Sequence, residues 1–281
     1  MYLHRQYLLN IFVYLVTLIP IIFLKQIYQA IGQEEEISNL AVQYVWSVAP
    51  SVIFYVQAMA GIMYAESHKY TFASMGTLAL ASLIHVCLVF MLVGWLEMGW
   101  SGICIATSAQ FFSRYFIIQT YLSCFVEPYQ QTRHVKLFSA STTSNLRPQF
   151  QRGLMSMFMG IWGWWAFDIF TLLASYLSTS VISAQTIMRS LGLLTFMIPV
   201  GFTRAMGFYV GKFIGQSDEK SLMHYYNVGM AMSCLVGVLQ MVILWTLRDQ
   251  VINMYTTQED VKEQMRLCWN VFVVFVFFDT I

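Results

Sequence analysis

The run Met159–Ile187, MGIWGWWAFDIFTLLASYLSTSVISAQTI, decides how this chain is read. Trp162, Trp164 and Trp165 lead into one carboxylate, Asp168, near the middle of an apolar stretch long enough to cross a bilayer. A charge at that depth costs roughly 3 kcal/mol on insertion scales, so it is kept for a partner or a function. On a helix Trp164, Trp165 and Thr171 fall on the Asp168 side, and Ser175 follows one turn later. One face is therefore aromatic and polar, and it is expected to look into protein or a wet cavity rather than lipid.

The remainder of the chain agrees with a membrane setting. Of 281 residues, 58% are hydrophobic and 10% are charged, against about 25% charged in a soluble domain. The expected class is an all-α, polytopic membrane protein with the lipid bilayer as its solvent. A net charge of +1 says nothing about nucleic acid, and no basic cluster suggests such a partner. The five cysteines are isolated in or at the ends of apolar runs, which argues against a metal site or a disulfide framework. There is no Ser/His/Asp grouping and no glycine-rich phosphate loop, so no enzyme and no cofactor is expected. His4 and Arg5 precede the apolar run Tyr7–Leu24. That run is long for a signal-peptide core and lacks a cleavage site, so it reads as a retained first span.

About eight transmembrane helices fit the hydropathy. Four run from about Gln6 to Ala30, Ile37 to Ala65 with Pro50 inside, Thr71 to Trp95, and Gly99 to Val126. A polar linker, Glu127–Arg152, follows, with Pro128, Pro148, Arg133, Lys136, Arg147 and Arg152. Four more run from about Leu154 to Leu177, Val181 to Ile214 and Ser221 to Leu247, and from Asp260 onward. The organisation is an N-terminal lobe over 1–127, a linker over 128–152 and a C-terminal lobe over 153–281. Alternate loops hold Arg5; Lys69; the four linker cations; then Arg204, Lys212 and Lys220, whereas the other set holds only Lys25, Arg248, Lys262 and Arg266 among acids. The positive-inside rule places the N-terminus and the linker in the cytoplasm, in a plasma membrane or an internal organelle.

The two halves repeat. Gln33–Ile37 resembles Thr257–Val261, with Glu35 opposite Glu259. At the same offset Tyr2 meets Tyr226, Leu15 meets Leu239 and Gln26 meets Gln250. Parallel repeats of this kind mark transporters, with the site between the halves.

The chain resembles the multidrug and toxic compound extrusion (MATE) transporters. The resemblance rests on Trp164-Trp165-Ala-Phe-Asp168, Ala184-Gln185-Thr-Ile187, Ile198-Pro199-Val-Gly201 with Ala205, Val210-Gly211 and Gly215, and Gly102-Ile-Cys-Ile-Ala106-Thr107. Pro50 and Phe278-Asp279 fall where the family has a proline and an acid. The resemblance starts at the family's third helix and ends within its tenth. It implies a truncated MATE-like fold of two pseudo-symmetric lobes, and Asp168 stands where eukaryotic members commonly have glutamate.

The resemblance implies a secondary antiporter that exports small organic, often cationic, solutes against H+ or Na+ by alternating access. Asp168 and Asp279 would couple the ion, with Arg189 as the partner of Asp168. Both charges lie roughly 15 Å below the turn between their helices at 1.5 Å per residue. Trp164, Trp165, Thr171, Gln185 and Gln57 would line the substrate path, and Pro50, Pro199 and Gly201 would bend or gate helices. Each has a plainer reading: an ion pair, interface anchors, interhelical hydrogen bonds, packing bends. Two other functions stay open, a lipid-linked oligosaccharide flippase of related fold and a non-transporting membrane scaffold from a truncated gene. Oligomeric state is not legible.

Overall fold

A computed structural model of the chain describes residues 2–33, 35–132 and 137–281. Glu34 of the acidic turn and the linker cations Arg133 and Lys136 lie outside the described residues, as does the side chain of Ser175. All regular structure among the described residues is helical. Contacts divide the chain into two compact units, Met1–Leu154 and Met155–Ile281.

In the first unit, α1 (Tyr2–Ile22) and α2 (Leu24–Ala30) replace the single helix expected over Gln6–Ala30. Pro20 explains the break: it removes one backbone donor, and Phe23 closes the turn by donating to the Pro20 carbonyl at 3.1 Å. Helix α3 (Glu35–Ser67) begins with Glu35 and Glu36 in its first turn, where carboxylates oppose the positive end of the helix dipole. Pro50 does not interrupt α3. Helix α4 (Thr71–Val89) passes into a π-helical turn, Phe90–Trp95, rather than staying α-helical to Trp95. That turn brings Leu92 and Val93 against Gly102 of α5 (Gly99–Phe125), where a Cβ would sit 3.2 Å from Val93 Cγ2. A side chain at 102 would push the two helices apart.

Small residues let these helices approach closely. Ala58, Ala65, Ala73, Ala81 and Ala106 are all buried, around a core of Tyr7, Ile62, Ile118 and Leu122. Without a hydrophobic driving force in lipid, such packing and interhelical hydrogen bonds hold the bundle. One bond joins α4 to α5, from the His85 ring nitrogen Nδ1 to the Ala106 carbonyl at 3.2 Å.

The described part of the linker is largely helical, and the helix expected from about Leu154 starts earlier. The linker holds α6 (Glu127–Thr132) and α7 (Ala140–Thr143), and α8 starts at Leu146 and runs to Ser175. Pro148 is no obstacle there, because the first helical turn has no intrahelical acceptors for its N–H groups.

In the second unit, α9 (Thr179–Gln216) is capped by Ser178, whose Oγ accepts from the Val181 amide. Ser217 turns left-handed at φ 55°, and Asp218 then caps α10 (Glu219–Thr246) by accepting from the Ser221 amide at 3.1 Å. The Ser221 hydroxyl, and after it that amide, hold the Asp218 carboxyl below its ordinary pKa. A short α11 (Arg248–Tyr255), unforeseen from hydropathy because half of it is polar, precedes α12 (Glu259–Thr280). The core joins Leu191 of α9, Leu244 of α10, Ile252 of α11 and Val261, Met265, Trp269 and Val276 of α12. Trp269 is fully enclosed, and its indole N–H donates to the Leu244 carbonyl at 3.0 Å.

Among the described residues six helices are long and apolar enough to span a bilayer: Tyr2–Ile22, Ser38–Ser67, Thr71–Trp95, Leu146–Ala174, Thr179–Gln216 and Glu219–Thr246. The other two of the eight expected, α5 and α12, have the length but carry more polar residues.

Candidate functional site

Asp168 lies on α8, and one carboxylate oxygen sits 2.8 Å from Arg189 Nη2 of α9. The pair forms because two antiparallel helices, joined by the tight turn at Tyr176–Ser178, bring residues at equal distance from that turn to equal depth. Thr171, one turn further along α8, accepts from Arg189 Nη1 at 3.1 Å and from Gln185 Nε2 at 3.0 Å. It donates its own proton to the Phe167 carbonyl. A carboxylate, a hydroxyl, an amide and a guanidinium thus make one cluster across α8 and α9. The Gln185 Oε1 atom is buried and meets no donor among the described residues.

The side chain of Asp168 is 62% exposed and that of Arg189 is 29% exposed. The expected aromatic face is only partly assembled. Trp164 meets Phe196 of α9 edge-on at 6.5 Å, whereas Trp165 packs back against Trp162. Phe167, on another side of α8, packs on Phe275 of α12 at 5.6 Å. Among the described side chains of α8, Ala174 alone is buried. The helix that carries Asp168 is therefore held to its neighbours by these polar contacts and a few ring edges more than by a buried apolar seam.

Asp279, near the end of α12, is exposed and makes no hydrogen bond or ion pair among the described residues. Its neighbour Thr280 is the buried one. Thr280 Oγ1 lies 3.1 Å from Gln240 Oε1, and Gln240 Nε2 donates to the Thr195 carbonyl at 3.1 Å. That carbonyl is the one that the ring nitrogen of Pro199, four residues on, cannot bond. Gln240 of α10 thus fills the gap that the proline opens in α9. Gly201 lies on an open side of α9, with nothing within 4 Å of where a Cβ would stand.

Gln57 is enclosed instead of lining a passage. It is 7% exposed, its Nε2 donates to the Tyr7 carbonyl at 3.0 Å, and its Oε1 accepts from Asn10 Nδ2 at 3.2 Å. Pro50 does border open space. A cleft of about 870 Å³ lies between α3 and α5 and carries Trp46, Ser47, Phe54, Trp100, Ser108 and Phe112 on its walls. Among the described residues no charged side chain lines it. Sequence reading missed this cleft. The signal was present as a stripe along α3, Gln43, Ser47, Pro50 and Phe54, at the spacing of one helix face. The cleft belongs to the first unit and the Asp168 cluster to the second. Among the described residues no group of three or more metal-ligating side chains occurs.

Comparison with known proteins places these features. Residues 156–281 match the MatE family model. The multidrug and toxin extrusion protein 1 of Homo sapiens is 29% identical over 106 residues, which is 38% of this chain and 19% of that protein. Human multidrug and toxin extrusion protein 2 is 26% identical over 144 residues, 51% of this chain and 24% of its own length. A probable multidrug resistance protein NorM of Bacillus thuringiensis subsp. konkukian is 22% identical over 248 residues, 87% of this chain and 54% of that one. The matches thus span about a fifth to a half of these relatives. The crystal structure of the eukaryotic MATE transporter AtDTX14 superposes with a TM-score of 0.90 at 17% identity, covering 99% of this chain and 62% of that one. Residues 156–281 are thus similar to the MatE family, and the chain as a whole has the fold of a solved MATE transporter.

Proposed function

We propose that the chain serves secondary antiport, moving small organic cations out of the cytoplasm in exchange for H+ or Na+. The observation that carries this is the Asp168–Arg189 pair at 2.8 Å, set between two apolar spans. With Asp168 ionised, the pair and Thr171 dock α8 on α9. A proton or a sodium ion on the carboxylate takes over the role of the guanidinium. It frees Arg189 and releases a helix that buries little apolar surface of its own. Two packings of α8 then exchange with the ion load, and binding shifts their populations. One pH unit of gradient is worth about 1.4 kcal/mol, a tenfold shift between two such states.

The cleft between α3 and α5 suits the solute. Indole and phenyl faces attract a cation by roughly 2 kcal/mol per desolvated contact. The absence of a fixed charge among its lining residues leaves room for chemically varied solutes. The N-terminus and the 128–152 segment face the cytoplasm in this reading.

The test is export of a fluorescent organic cation from vesicles under an imposed proton gradient, with Asp168→Asn compared with the parent. Asparagine keeps the size, and its Oδ1 can still accept from Arg189, but it cannot exchange a proton. Export should fall at least about tenfold, the share lost with one pH unit of drive, while equilibrium binding of the cation persists. Export that continues unchanged in Asp168→Asn removes the coupling role.

A further inference from the structure

We propose a second site in this protein, a pocket for an anionic phosphate ester, most simply a lipid headgroup, where α1 and α8 begin. A cavity of about 230 Å³ lies there, walled by Tyr2, Arg5, Asn145, Pro148, Gln149 and Arg152. Among the described residues that line it are two guanidinium groups and no carboxylate. All six residues belong to the first unit.

Both arginines are held in place by the fold. Arg5 is 8% exposed; its Nη2 donates to Ser144 Oγ at 3.1 Å, and its guanidinium lies 5.4 Å from the centre of the Tyr2 ring. Arg152 donates from Nε to the Pro148 carbonyl at 3.3 Å, which folds its guanidinium back over the first turns of its own helix. Gln149 ties the two helices together through Gln6 at 3.1 Å. A buried arginine in an apolar chain is costly, and a guanidinium is the group best shaped for the oxygens of a phosphate.

Depth selects the ligand. Helix α8 is an apolar span whose first turns line this pocket, after the more polar segment that precedes it. The cavity therefore lies at the level where a bilayer changes from acyl chains to headgroups. Basic pockets between spans at that level hold lipid phosphates. The first turn of α8 adds the positive end of a helix dipole on the same wall. At roughly 30 Å³ per water the space holds a phosphate with the first carbons of its ester, not a whole lipid. The acyl chains would lie outside it along α1, whose residues Phe12, Leu15, Val16 and Ile19 are exposed.

The experiment is native mass spectrometry of the purified chain, titrated separately with short-chain phosphatidylglycerol, short-chain phosphatidylcholine and inorganic phosphate. Phosphatidylglycerol should bind with roughly tenfold preference over phosphatidylcholine, as expected for charge-assisted bonds to an anion. Arg152→Gln should abolish that preference, and Arg152→Lys should restore part of it. Arg152 is exposed, so its replacement leaves the fold intact, which a melting curve without lipid checks. Equal retention of phosphatidylglycerol by parent and Arg152→Gln overturns the site. Inorganic phosphate bound as tightly as the lipid overturns the headgroup source.

Discussion

Gln57 and Gln185 are the same side chain at membrane depth, yet their surroundings treat them differently. Gln57 has both ends of its amide engaged, with Tyr7 and Asn10 of α1, and almost no exposure. Gln185 uses its nitrogen on Thr171 and leaves Oε1 buried without a donor among the described residues. Removing a satisfied buried partner strands the groups it served, at about 1–3 kcal/mol. Gln57→Leu should therefore lower the melting temperature measurably in detergent. Gln185→Leu should change it far less, since an unmet acceptor leaves together with one bond. Equal losses in the two variants would mean that Gln185 has a partner where Oε1 now has none. The sequence showed two polar amides in apolar helices and could go no further. Whether an amide meets a donor depends on how each helix is rotated about its axis. Asp168 and Arg189 were easier to pair, because a short turn fixes equal depth and opposite charges then find each other.

At the scale of the helix, Pro199 and Gln240 form a matched set. A proline inside a span leaves one carbonyl unbonded, and lipid offers no substitute, so a neighbouring helix must supply one. Gln240 does so from α10, and Thr280 of α12 bonds its other end. This argues for a coupling that can be measured. Gln240→Leu in the parent should cost about 1–2 kcal/mol, because the Thr195 carbonyl loses its donor. In a Pro199→Ala background the alanine N–H bonds that carbonyl within α9, and the cost should shrink by about 1 kcal/mol. A double-mutant cycle on unfolding reads the difference, and additive effects would show that Gln240 serves some other purpose. Pro199 was visible in the sequence as a bend. Gln240 was not, since it lies on a different helix and no local pattern marks it. The break after Pro20 and the π-turn at Phe90–Trp95 were hidden for a related reason. Hydropathy reports how apolar a stretch is but not how its backbone bonds are arranged.

For the molecule as a whole, eight long helices were legible from apolar runs, and their ends fell within a few residues except around the linker, where Leu146–Arg152 continues a helix. The charges there are polar enough to look like loop, but α8 starts earlier because Pro148 fits its first turn. The surface network of α11 and α12 was equally hidden. Asp249 is 3.4 Å from both Arg248 and Arg266, and these bonds, Arg248 first, hold its carboxyl below the ordinary value of 3.8. A depressed carboxyl adds stability above its unfolded value and loses it as pH falls through the folded one, so any contribution here disappears only below about pH 4. Orientation is the remaining large-scale question, and charge in the loops answers it as a proposal. Helix α10 has 28 residues, roughly 42 Å at 1.5 Å per residue, more than a bilayer core of about 30 Å. Its two ends, Ser217 with Asp218 and the α11 segment, should therefore lie on opposite sides. By the positive-inside rule, Lys212, Lys220 and Arg204 would place the Ser217 end inside. In a background without the native cysteines, Thr257→Cys should react with an impermeant maleimide on intact cells. Ser217→Cys should react only after permeabilisation. Both positions are exposed, so access and not burial decides the outcome. Labelling of both from outside would mean that α10 does not cross. The reverse pattern would invert the orientation and put the Arg5–Arg152 pocket in the outer leaflet.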